Sequence, residues 1–72
     1  MSLDNEEFLK RFGANLKRIR KLKGLTLVEL EELTGIHNAV LSKIELGKKN
    51  ILITTLVRLG EGLGVEVGDL VY

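Results

Sequence analysis

The stretch TLVELEELTGIHNAVLSKIELG, Thr26 to Gly47, decides how this chain folds. Thr26 stands three residues before Glu29, the capping-box pattern that opens a helix. Leu27, Leu30 and Leu33 give that helix a short apolar face, and Gly35 stops it. Ile36, Val40, Leu41 and Ile44 then recur at helical spacing, which predicts a second helix from about Asn38 to Leu46, closing on Gly47. Only Gly35, Ile36 and His37 separate the two, and so short a break makes them cross at a steep angle. The second helix begins with His37, Asn38 and Ala39 turned away from its apolar residues, and it is followed by the pair Lys48–Lys49.

Upstream, Phe8, Leu9, Phe12, Leu16, Ile19 and Leu22 form one apolar stripe on a helix expected from about Asp4 to Lys23. Gly13 interrupts it, at a cost of up to ~1 kcal/mol against alanine, and Gly24 is placed to end it in a left-handed cap. Downstream, Lys48, Lys49 and Asn50 read as a loop, in which Ile51 and Leu52 are apolar enough to suggest a covered position. The next stretch is ambiguous at its start, where Ile51, Leu52 and Ile53 read as strand residues, but from Ile53 on, Leu56, Leu59 (or Gly60) and Leu63 restore helical period. Gly60 and Gly62 weaken that helix but let neighbouring backbones approach, and Gly64 caps it. VEVGDLVY, Val65 to Tyr72, predicts a last turn and a half of helix with Leu70 inward. No repeat, linker or low-complexity tract is visible, so residues 1–72 read as one all-α domain.

Composition agrees. The 72 residues are 44% apolar but only 4% aromatic, which favours an aliphatic helical core over a β-sandwich. There is no cysteine, so disulfides and thiolate metal sites are excluded. No apolar run reaches the ~20 residues of a membrane span, and the acidic start MSLDNEEFLK lacks the apolar core of a signal peptide; a cytoplasmic location is expected. One histidine, and no nucleophile paired with a base at workable spacing, argue against an enzyme, a metal site or a cofactor. Glu29, Glu31 and Glu32 read as a solvated face. The net charge of +1 conceals an uneven distribution: Lys10, Arg11, Lys17, Arg18, Arg20, Lys21 and Lys23 lie between Phe8 and Val28 with no acid among them. Such local density is what a polyanion feels within a Debye length of about 8 Å, although a basic run is also a common way to solvate helix surfaces.

Arg18-Ile19-Arg20, Gly24-Leu25-Thr26, Leu30, Gly35-Ile36, Leu41-Ser42-Lys43-Ile44-Glu45-Leu46-Gly47, Leu56, Leu59, Leu63-Gly64-Val65 and Leu70 together resemble the helix-turn-helix family of lambda-type phage repressors and Cro proteins (XRE type). The resemblance covers roughly residues 12–71, and its specificity lies in the ensemble. It implies a compact bundle of five short helices, with the helix-turn-helix unit at about residues 26–46 and helix three entering the major groove by its N-terminal end. It implies base contacts from His37, Asn38, Ala39 and Lys43, with Val40 either touching a thymine methyl or partly buried. His37 is equally suited to capping helix three, and Ala39 to serving only as a helix former. Thr26, Ser42, Lys48, Lys49 and Asn50 are the expected backbone contacts, and Arg18, Lys21 and Lys23 add long-range attraction. Arg20 and Glu45 are expected to pair structurally, tying helix one to helix three.

The chain departs from the family at three positions. Leu27 replaces a frequent glutamine that bonds DNA or orients a reading side chain. Glu31 replaces a small residue at the close approach of helices two and three, so either its stem lies along the interface with its head in water or the packing adjusts. Ile51 replaces a frequent proline, which the similarly sized restriction-modification controller proteins likewise often lack. The resemblance implies a transcriptional regulator, expected to be a repressor, that binds double-stranded DNA as a homodimer. Ile51, Leu52, Val67, Leu70, Val71 and Tyr72 are its candidate dimer residues, with Leu70 leaning toward the core. A phage or mobile-element repressor and an antitoxin fit the same features. So does a protein-interaction module that kept the fold and lost DNA affinity.

Overall fold

The computed structural model describes residues 5–71, and among them the chain is five helices joined by short connections, with no strand. They are α1 (Asn5–Leu22), α2 (Leu27–Thr34), α3 (Asn38–Glu45), α4 (Ile53–Leu63) and α5 (Val67–Val71). The expected start at Asp4 and the dimer candidate Tyr72 lie outside the described residues.

Phe12, Leu16, Leu30, Leu41, Ile44, Leu59 and Leu70 are fully buried and come from all five helices, which is how short helices share one core. Helix α1 packs on α3 and α5, α2 on α3 and α4, and α4 on α5. Two residues expected inward are not there: Leu22 is 74% exposed and Leu33 54% exposed. Leu22 is the last residue of α1, past the point where another helix covers the stripe. On α2, an eight-residue helix, Leu30 and Thr34 take the buried positions instead. Leu27 is partly buried against the core, so the residue that replaces the family's glutamine is drawn inward.

Local chemistry sets the element ends. Thr26 Oγ1 accepts from the Glu29 amide at 3.0 Å, and Glu29 Oε1 accepts from the Thr26 amide at 2.9 Å, closing the capping box on α2. The α2–α3 turn needs a left-handed residue, and Gly35 supplies it at φ 76°. Thr34 completes the turn: its hydroxyl donates to Leu30 O at 2.8 Å and accepts from the Ile36 amide at 3.2 Å. Asn15 docks α5, donating from Nδ2 to the carbonyls of Asp69 and Leu70 at 2.9 and 2.8 Å.

Gly13 has a role that helix propensity does not reveal. A Cβ there would collide with Ile44 O and lie 2.6 Å from Glu45 O, both backbone atoms of α3. The glycine therefore lets the last turn of α3 rest directly on α1, and the reading of Gly13 as a mere interruption is corrected. Gly62, as its type suggested, sits at another close approach, where a Cβ would be 2.5 Å from Thr34 Cγ2.

Candidate nucleic-acid interface

Leu41 and Ile44 anchor the inner face of α3, at 0% and 1% exposure, and so determine what its outer face presents. Ala39 and Lys43, one turn apart, are exposed, while Asn38, Val40 and Ser42 are partly buried. His37, also exposed, is the N-cap: its Nδ1 accepts from the Ala39 amide at 3.1 Å.

Asn38 is held by α2. Glu31 Oε1 accepts from the Asn38 backbone amide at 3.0 Å and from Asn38 Nδ2 at 2.7 Å. Those bonds, the side-chain one first, keep the Glu31 carboxyl below its ordinary value of 4.5, with His37 adding a smaller effect and partial desolvation opposing. The first two amides of α3 are thus both satisfied by side chains, where a helix start ordinarily leaves them open. Glu31 does not simply lie along the helix interface with its head in water; its head is a cap for the neighbouring helix. The signal for this in the sequence is an acid in place of a small residue, seven positions before an asparagine.

Arg20 and Glu45 meet as a bidentate pair. Arg20 Nε lies 2.6 Å from Glu45 Oε2 and Nη2 3.0 Å from Oε1, while Nη1 donates to the Leu25 carbonyl at 2.8 Å. The two side chains are 9% and 6% exposed. The hydrogen bond to Glu45 raises the Arg20 pKa above its already high ordinary value. One guanidinium therefore joins α1, the α1–α2 connection and α3.

The basic residues collect in identifiable places, two of them beside α3 or the loop that follows it and one between α1 and α5. Lys10 joins Lys48, Lys49 and Asn50 in an open depression beside Gly47, which Glu6 also lines. Sequence spacing gave no hint of that meeting, because Lys10 is 38 residues from Lys48; the close approach of Gly47 to the Lys10 backbone creates it. A second open depression brings Lys21, Thr26, Leu27 and Asn38 together. Arg11 and Arg18 line a third, with Asn15 and Val71. The arrangement offers donors, a methyl and a cation on one exposed helix face, with further cations beside it. No group of three or more metal-ligating side chains occurs among the described residues, and no helix there is long and apolar enough to cross a membrane.

The candidate dimer residues divide. Leu52 is 71% exposed and Val67 is exposed, whereas Ile51 and Val71 pack partly buried against the core and Leu70 is wholly inside. The covered position expected for Ile51 and Leu52 therefore holds, within the monomer, for Ile51 and not for Leu52. Ile53 and Val57, one helical turn apart on α4, are exposed beside Leu52.

Known proteins share this architecture. The family described as Helix-turn-helix (HTH_3) matches residues 16–70. An uncharacterized HTH-type transcriptional regulator, y4dJ of Sinorhizobium fredii, is 40% identical over 86% of this chain and 80% of its own. The crystal structure of an HTH_3 family transcriptional regulator from Vibrio cholerae superposes with a TM-score of 0.90 at 31% identity, covering 93% of this chain and 38% of that one. The restriction-modification controller protein C.AhdI from Aeromonas hydrophila superposes with a TM-score of 0.84 at 29% identity, over 86% of this chain and 94% of that one.

Proposed function

Because the chain belongs to the helix-turn-helix family HTH_3, we propose that it is a sequence-specific regulator of transcription that binds double-stranded DNA, acting as a repressor and as a homodimer in the cytoplasm. One observation carries the reading: α3 leaves Ala39 and Lys43 exposed on its outer face, with Asn38 beside them and lysines 10, 48 and 49 gathered at the following loop. Helix α3 enters the major groove. There Asn38 pairs with adenine N6 and N7, Ala39 meets a thymine methyl, and Lys43 reaches guanine or a phosphate. His37, besides capping α3, offers the outward edge of its ring to the same groove. Thr26, Ser42, Lys48, Lys49 and Asn50 hold the sugar-phosphate backbone, which fixes register without carrying sequence information.

A single 72-residue domain reads one half-site, so the homodimer spans two, with centres about 34 Å apart. Leu52, Ile53, Val57 and Val67 supply the apolar surface for it. Residues 1–72 act as one domain.

Selection of bound duplexes from a random pool tests the reading, repeated with Asn38→Ala and Lys43→Ala. The parent is expected to enrich a two-fold symmetric consensus, and each variant to lose preference at particular base positions. A pool that never diverges from random would defeat the proposal. The competing reading, a protein-interaction module, draws on Leu27 and on Glu31, whose negative charge stands at the start of α3. It predicts no retention on heparin even at low salt, whereas the regulator is retained and released steeply as salt rises.

A further inference from the structure

A carboxylate beside a surface that approaches DNA is electrostatically out of place. Glu31 is the acid nearest the start of α3, and it stays charged while pointing at Asn38. Its repulsion of phosphate has to be offset by something it does there.

The bonding shows what that is. An ionised carboxylate only accepts, so the Asn38 amide must turn its NH2 toward Glu31 and its oxygen away. Glu31 Oε1 also binds the Asn38 backbone amide, so main chain and side chain of one residue are tied to a single oxygen. An asparagine side chain on an open helix start ordinarily rotates and flips freely. Here both torsions are restrained before any ligand arrives. Nδ2 carries two hydrogens; with the one trans to Oδ1 given to Glu31, the other hydrogen and Oδ1 remain side by side. That donor–acceptor pair is the one adenine N7 and N6 require.

We propose that Glu31 is a specificity-determining positioning residue, which sets the orientation of the Asn38 carboxamide for adenine. This rests on the reading of α3 as the groove-entering helix. Glu31 touches no base; it acts through Asn38, and it lowers the entropy lost when that side chain orders on DNA. It takes the place of a reader helped from elsewhere on α2, since Leu27, partly buried against the core, has a hydrocarbon side chain that cannot hydrogen-bond.

Two measurements test it. In the free protein, nuclear magnetic resonance should find one Asn38 Nδ2 proton protected from solvent exchange and the other not, with protection lost in Glu31→Ala and kept in Glu31→Gln, whose side-chain oxygen still accepts. In pool selection, Glu31→Ala should lose the preference at the base position that Asn38→Ala also loses, from roughly 5- to 150-fold toward none. Preferences at other positions should persist, Glu31→Gln should retain the parent consensus, and the double variant should be no worse than Asn38→Ala alone. Parent Asn38 protons that both exchange like those of an exposed amide would overturn the proposal, and this needs no variant to fold. So would a Glu31→Ala consensus identical to the parent's, or one degraded evenly at every position. A parent that selects nothing would instead remove the DNA-binding reading, and this inference with it.

Discussion

Arg20 shows what a single residue contributes when it is almost enclosed. Its guanidinium satisfies both oxygens of Glu45 and one backbone carbonyl, so truncation strands a charge of opposite sign with little access to water. Arg20→Ala is expected to destabilise the fold by about 3–5 kcal/mol, read from denaturant unfolding, because the loss includes the unpaired Glu45. Glu31 works differently, through titration. Its folded pKa lies below the ordinary 4.5, so its contribution is complete above that value and is lost as pH falls through the depressed one. The stability difference between the parent and Glu31→Gln should accordingly be constant at neutral and mildly acidic pH and drift toward favouring the variant below about pH 4.5. A flat difference down to pH 2 would mean that the Asn38 bonds do not distinguish the carboxylate from the acid.

Helices are where propensity and packing disagree. By propensity alone, alanine in place of Gly13 stabilises α1 by up to ~1 kcal/mol. The structure reverses the sign, because the added methyl meets backbone oxygens of Ile44 and Glu45, which cannot rotate aside as a side chain can. Gly13→Ala should therefore destabilise by at least the 1–3 kcal/mol of ordinary overpacking, lowering the melting temperature by several degrees. An unchanged or raised melting temperature would show that α1 and α3 separate easily. The ends of α2 were legible in the sequence because they are local: Thr26 and Glu29, then Gly35, satisfy backbone groups within one turn. The start of α3 was only half legible. His37 as a cap is local too, but the Glu31 bond spans seven residues and depends on how two helices cross.

On the scale of the whole molecule, the exposed apolar residues Leu52, Ile53 and Val57 lie beyond the reading unit, at the start of α4. Ile53→Asp should preserve the fold, since Ile53 is 79% exposed, while weakening self-association at least tenfold in analytical ultracentrifugation. Unchanged association would exclude this surface from the proposed dimer. The sequence by itself determined the helical periods, the caps of α2, the short turn between α2 and α3 and most of the core, since each follows from periodicity or from bonds within a few residues. It also carried the pairing of Arg20 with Glu45, through family resemblance rather than spacing. Only the tertiary structure decided that Gly13 is a contact surface, that Leu22 and Leu33 face water, that Lys10 joins Lys48 and Lys49, and that Glu31 holds Asn38. These depend on the angle and depth at which helices meet. That geometry is settled by the joint packing of side chains far apart in the chain, so no local pattern records it.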